Sequence, residues 1–119
     1  MKLTLVIGAS LKPSRYSNLA IHRLVQNKIE VKAIGLREGT VAGISIVKEK
    51  IPFENIHTIT LYLNAKRQIE YYDYIISLKP KRVIFNPGTE NPEMYNLLSK
   101  NGIEYEEACT LVLLGTNQY

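Results

Sequence analysis

Apolar positions along the chain fall into two rhythms, short unbroken runs and helical spacing. Residues 3–7, LTLVI, form a continuous apolar and largely β-branched run that stops at Gly8. Such a run predicts a strand buried on both faces, of the kind found inside parallel sheets. From Ser17 to Asn27 the apolar Ala20, Ile21, Leu24 and Val25 recur at helical spacing, with His22, Arg23 and Gln26 between them. That predicts an amphipathic helix with Ser17 as its N-cap. It has to end in the left-handed region at Asn27 or Lys28, and Asn tolerates that conformation better.

A second strand is predicted at 30–35, EVKAIG, followed by a less regular stretch over 36–56 that Gly39 and Gly43 break. Within it, ISIV at 44–47 forms a short extended piece and Pro52 marks a turn. HTITLY at 57–62 predicts a third strand. Residues 66–78 predict a helix whose inward stripe is Ile69, Tyr72, Ile75 and Ile76. RVIFN at 82–86 predicts a fourth strand, ended by Pro87-Gly88. The next helix starts near Asn91 with Pro92 at its first position and stops at Asn101-Gly102. The last segment, 103–114, is expected to be one bent strand or two short ones. Strands alternating with helices imply right-handed crossovers and parallel pairing. The expectation is one Rossmann-like, doubly wound α/β domain over residues 1–119, with a mainly parallel sheet flanked by helices.

Composition narrows the function classes. The 119 residues are 45% hydrophobic and 22% charged, an ordinary globular balance. The formal charge of +4 is spread along the chain with no basic tract, which suits a small anion better than a nucleic acid. No apolar stretch approaches the roughly 20 residues that span a bilayer. One Lys and six residues before the Gly turn make too short an apolar segment for a signal peptide. A cytoplasmic protein without nucleic-acid or membrane partners is expected. Cys109 is the single cysteine, so neither an internal disulfide nor a CxxC motif is available.

In doubly wound sheets, ligands bind outside the carboxyl ends of the strands, where strand order reverses. Three turns fall there: Gly8-Ala9-Ser10, Gly35-Leu36-Arg37 and Asn86-Pro87-Gly88-Thr89. The first leads into a helix whose free amides and dipole favour an anion. Ser10, Ser14 and Ser17 add hydroxyls there, and Arg15 adds a guanidinium fork suited to phosphate. The same residues also suit an ordinary capped turn. The full GxGxxG pattern is absent, because the glycine after Gly8 is Gly35. A site of NAD type wants an acidic residue at the second strand tip, but Arg37 stands just beyond that tip. A cation there suits a phosphorylated ribose, as in coenzyme A or NADP. Glu38 keeps NAD open.

With VIGAS, RYSN, FNPGTEN and the late Cys109 in view, the sequence resembles the small stand-alone CoA-binding domains of bacteria. These are similar in turn to the N-terminal CoA-binding domain of the succinyl-CoA synthetase α chain. The first-turn residues that match are Gly8, Ala9, Ser10, Arg15, Tyr16 and Ser17, and those of the fourth-strand tip are Gly88 and Asn91. The resemblance implies that the turn at 8–17 holds the CoA pyrophosphate and that the second and third strand tips, with Gly35 and Arg37, flank the adenosine. Two departures stand out. Gly35-Leu36-Arg37 keeps only the cation of an Asn-Pro-Lys type tip. Leu63-Asn64-Ala65 stands where the family commonly carries Arg residues and Pro, with Lys66 and Arg67 following.

No catalytic constellation emerges. There is no G-x-S-x-G elbow or Ser-His-Asp order. His22 and His57 suit surface or core-edge positions, and Glu104, Glu106 and Glu107 suit a solvated strand. Cys109 has acidic neighbours, which oppose a reactive thiolate. The reading is a binding domain for coenzyme A or an acyl-CoA, not an enzyme. Two alternatives stand beside it, a sensor of NAD(P) or another nucleotide, and a small acyl-CoA enzyme or subunit using Cys109. Tyr71 and Tyr74, three apart on one helix, suit a homo-oligomer interface, though a partly exposed helix flank is the simpler account. A homo-oligomer or an acyl-CoA enzyme is the expected protein partner.

Overall fold

A computed structural model describes residues 2–119. Seven strands form one sheet in the order β3-β4-β2-β1-β5-β6-β7. They are β1 (Thr4–Ala9), β2 (Val31–Gly35), β3 (Gly39–Val41), β4 (Ile44–Val47), β5 (Thr58–Leu61), β6 (Arg82–Phe85) and β7 (Glu104–Glu107). All neighbours pair in parallel except β3 and β4. The helices are α1 (Tyr16–Gln26), α2 (Ala65–Gln68), α3 (Tyr72–Leu78), α4 (Pro92–Lys100) and α5 (Thr110–Gly115). The expected doubly wound α/β architecture is therefore the one adopted. Among the described residues no helix is long and apolar enough to cross a membrane.

The period-2 geometry of the strands sorts their side chains into two cores. Leu5, Ile7, Ile59, Leu61, Val83 and Phe85 face a core shared with Tyr71, Ile75, Met94 and Leu98 of the 69–78 and α4 segments. On the other face Val6, Val31 and Ala33 pack with Ile21 and Leu24 of α1 and Leu114 of α5. Because β1 is the first strand and sits mid-sheet, the chain leaves it toward β2 on one side and returns at β5 on the other. The switch point lies between the β1 and β5 tips.

Four local expectations change. The stretch 36–56 holds a hairpin, β3–β4, whose Ala42 (φ 51°) and Gly43 (φ 80°) both take positive φ, as a two-residue hairpin turn demands. Lys28, not Asn27, takes the left-handed position (φ 60°) after α1. There Lys28 N–H donates to Val25 O and Ile29 N–H to Leu24 O, a Schellman closure that seats Ile29 on its own helix. The helix predicted over 66–78 breaks into α2, a 3₁₀ turn at Ile69–Tyr71, and α3. Three residues per turn in the middle shift the register. Gln68, Tyr71 and Ile75 then point inward, and Ile69 is 57% exposed.

Of the two tyrosines, Tyr71 is buried and Tyr74 half-buried; Tyr74 meets the Tyr71 ring edge-on at 6.4 Å, and the Lys50 ammonium lies over Tyr71. Finally, 103–114 is not all strand. After β7 the apolar TLVLL coils into α5, because its outward side has no further strand to pair with and Leu114 reaches the α1 core.

Candidate functional site

The parallel strands end on one edge, and the β1 tip is its centre. Gly8 has φ +94°, and the pairing with β2 slips by one residue there, so that Ala9 rather than Gly8 meets Gly35. This bulge needs glycine twice over. An L side chain would be strained at that φ, and a Cβ would sit 3.0 Å from the Tyr62 carbonyl carbon and 3.1 Å from Leu63 Cδ2. Gly35 is needed for a different reason, because a Cβ there would lie 2.3 Å from Ala9 O. The two glycines let the tips of β2, β1 and β5 close up.

Beyond the bulge the chain turns into α1. Ser10 Oγ accepts from Lys12 N–H at 3.1 Å, and Ser10 O accepts from the buried Asn18 Nδ2 at 2.9 Å. The loop is thus tied to the second residue pair of the helix it feeds. Arg15, not Ser17, occupies the N-cap position, with extended backbone (ψ 142°) and no side-chain cap. Ser17 is buried inside the first turn. The amides of Tyr16 and Ser17 have no acceptor among the described residues. No acidic side chain stands in that turn. Open amides, the positive end of an 11-residue helix and the exposed Arg15 together make an anion-accepting end. Tyr16 projects beside it, 73% exposed.

The flanking tips add charge. Arg37 is exposed on the turn between β2 and β3, and Lys66 and Arg67 are exposed on α2 directly after the β5 tip. Among the described residues these cations form no ion pair; the one pair present joins Arg82 to Glu106 at 3.4 Å. The position of Lys66 and Arg67 on the switch-point edge restores the charge that Leu63-Asn64-Ala65 lacks.

Gly88 and Asn91 reach the same edge but stand apart from Gly8. The β5 tip intervenes, so two strand spacings, about 10 Å, separate the β1 and β6 tips. Gly88 is exposed at φ +91°, and its N–H donates to Glu90 Oε1. Asn91 is buried and fully engaged. Its Oδ1 caps Met94 N–H, and its Nδ2 donates to Gln68 Oε1 and Tyr72 Oη, both at 2.9 Å. Asn91 is thus a cap for α4 and a tie to Gln68 and Tyr72, with both amide protons in use.

The sequence patterns gave Asn18, Gln68 and Asn86 no role of their own, although Asn18 and Asn86 fall within the motifs. Each is a buried amide in or beside an apolar pattern, and that mismatch is the signal that marks them. Asn86 Nδ2 donates to Thr60 Oγ1 and Leu61 O, and its Oδ1 accepts from Thr110 N–H, fixing the start of α5 to the β5 and β6 tips. Cys109, half-buried with a free thiol, stands at the N-cap position of that helix, and its side chain makes no capping hydrogen bond. Beside it Tyr62 Oη is buried without a partner in hydrogen-bonding geometry. Burial pushes its phenol up to about 12, against the opposing effect of the Thr110 and Thr60 hydroxyls.

Since Tyr62 ionises later in the folded chain than in the unfolded one, its contribution is complete below pH 10 and declines as pH rises from about 10 to about 12. Tyr62→Phe should therefore flatten alkaline destabilisation by up to about 1.4 kcal/mol per pH unit, and be neutral or stabilising at pH 7. Urea melts of both proteins at pH 7 and pH 11 check this; parallel losses would refute it.

Two hollows lie away from the β1 tip. One of about 260 Å³ lies among Lys2, Asn27, Leu114 and Tyr119, and one of about 270 Å³ among Ile76, Lys79, Asn101 and Ile103. Both open on the amino edge of the sheet, away from Gly8 and Gly35. Among the described residues no group of three His, Cys, Asp or Glu side chains is placed to hold a metal.

Known proteins share this fold. No functionally curated protein matches the chain. A crystal structure described as that of an uncharacterized protein superposes with a TM-score of 0.97 at 47% identity, covering 100% of this chain and 98% of that one. A Thermus thermophilus protein superposes at 0.87 with 17% identity, over 99% of this chain and 90% of the other. A conserved hypothetical protein from Pyrococcus furiosus gives 0.83 at 22% identity, over 94% and 98%. The last two show the fold alone. The sequence profile described as "CoA binding domain" matches residues 2–115. Spanning nearly the whole chain, that match places the protein in the CoA-binding domain family.

Proposed function

We propose that the chain binds coenzyme A, or an acyl-CoA, across the β1 and β5 tips, with the pyrophosphate on the amides that open α1. In this reading the domain carries out no chemistry of its own and holds the cofactor for sensing or for presentation to a partner. The observation that carries it is the Gly8 bulge. Gly8, at positive φ, packs directly on Tyr62 and Leu63, and the chain beyond it runs into a helix start with no acidic side chain and no side-chain cap. Such a start favours an anion through both its amides and its dipole. Arg15 supplies a fork for the diphosphate oxygens. Arg37, Lys66 and Arg67 surround the place where a phosphorylated ribose would lie. The residues present fit the group: open amides at a helix start with no acidic side chain, and nearby cations, are what a diphosphate requires.

A thermal-shift panel of CoA, acetyl-CoA, NAD, NADP and ATP tests the reading. CoA at a hundred times its Kd should stabilise the fold by about 2.7 kcal/mol, because it binds only the native state. A rise with NAD and none with CoA would replace the reading with a dinucleotide sensor. Arg15→Ala should weaken CoA by about 1–3 kcal/mol, the range for hydrogen bonds to a charged group. Unchanged affinity in a titration would remove Arg15 from the site.

A further inference from the structure

Gln68 is fully buried at the end of α2, where the helical pattern would put an apolar residue. Both amide protons and the amide oxygen are used. Nε2 donates to Leu63 O at 2.8 Å and to Thr89 O at 2.7 Å, while Oε1 accepts from Asn91 Nδ2 at 2.9 Å. The reversed amide would turn oxygen toward two carbonyls and an NH₂ toward another, so the orientation is fixed. The two carbonyls belong to different loops, one after β5 and one after β6. Leu63 is also the residue whose side chain closes on Gly8, lying 3.1 Å from where a Cβ there would be.

We infer that Gln68 is a positioning residue for the cofactor site: it clamps the β5 loop to the β6 loop and so holds Leu63, which packs on Gly8 and would form a wall of the proposed site, at its distance from the glycine turn. The inference rests on the proposed CoA site. It also gives Asn91 a role, since that residue acts on the site by setting the Gln68 amide. A wall held in advance spares the ligand the cost of ordering it, and affinity gained in this way is lost when the clamp opens. Inorganic pyrophosphate should be indifferent, because it needs only the amides that open α1.

The test compares wild type with Gln68→Leu at 10 °C, with circular dichroism establishing that both are folded. CoA is titrated calorimetrically and inorganic pyrophosphate by amide NMR shifts. The clamp predicts that CoA affinity falls at least tenfold while pyrophosphate affinity stays within twofold. Unchanged CoA affinity overturns the inference and leaves the CoA site standing. An equal loss for both ligands also overturns it, since that is general loosening. A wild type that fails to bind CoA removes the site and the inference together.

Should Gln68→Leu not fold, Asn91→Asp carries the test. It keeps the Oδ1 cap on Met94 N–H but swaps the Nδ2 donor for an acceptor, which draws the Gln68 amide round and undoes the clamp. The same split between the two ligands is predicted, and wild-type CoA affinity overturns the inference. Where both variants fold, the double variant should bind CoA no more weakly than Gln68→Leu alone, as coupled groups do.

Discussion

Gly8→Ala should lower stability by about 2–4 kcal/mol and abolish CoA binding. Two costs combine. Holding a Cβ-bearing residue at φ +94° costs roughly 1–3 kcal/mol, and crowding a packed strand tip costs about 1–3 kcal/mol more. The neighbour the new methyl meets at 3.0 Å is the backbone of Tyr62, which is held in the β5 tip and gives little. Its other neighbour, the Leu63 side chain, can swing, which keeps the total below the sum of the maxima. Relief comes from moving the β1 and β5 tips apart or rotating the turn that feeds α1, and either displaces the amides from the ligand. A chain of this size should lose roughly 10 °C in Tm. Calorimetry and a CoA titration of the folded variant check both parts, and wild-type affinity in the variant would separate Gly8 from the site.

Asn86→Leu should cost about 3–5 kcal/mol with no comparable change in side-chain volume. The amide satisfies Leu61 O, Thr60 Oγ1 and the Thr110 N–H, all in the interior. Thr60 and Thr110 hydroxyls are 2.8 Å apart and keep one another, but Leu61 O and the Thr110 N–H lose their side-chain partner. Each buried polar group left unpaired costs about 1–3 kcal/mol. Against a total of about 5–15 kcal/mol that is a large share. In urea the midpoint should fall while the slope stays the same, because the surface exposed on unfolding is unchanged. A loss below 1 kcal/mol would mean that water replaces the amide, and that the start of α5 is held by packing instead.

The parts of the fold that were legible are those in which local pattern and tertiary role coincide. LTLVI before Gly8 and RVIF before Asn86 are strands buried on both faces, and their apolar runs say so. Pro92 and Asn101-Gly102 bracket α4 with chemistry that is local to its ends. Legibility stopped where a neighbour decides the outcome. TLVLL has strand composition, but it lies past the last strand of the sheet and finds its burial against α1, so it coils. Tyr71 turned inward because a 3₁₀ turn altered the helical register, which apolar spacing alone does not reveal.

The site divides in the same way. Gly8, Ala9, Ser10, Arg15, Tyr16 and Ser17 belong to one continuous turn, so their association is written in the order of the chain. Gly35 joins them through a 2.3 Å constraint that only strand pairing creates. Asn91 matched a family pattern in sequence, yet its hydrogen bonds go to Gln68, Tyr72 and Met94. Lys66 and Arg67 looked displaced from the family's cations by a few residues. A short helix starting at Ala65 brings them to the same edge.

An amide-resolved NMR titration with CoA locates the diphosphate. The largest shifts should fall on the amides of Ser10, Leu11, Tyr16 and Ser17, with smaller ones at Gly35 and Leu63. Shifts gathered instead around Asn27 and Asn117, or around Lys79 and Gly102 at the opposite edge of the sheet, would contradict the proposed site.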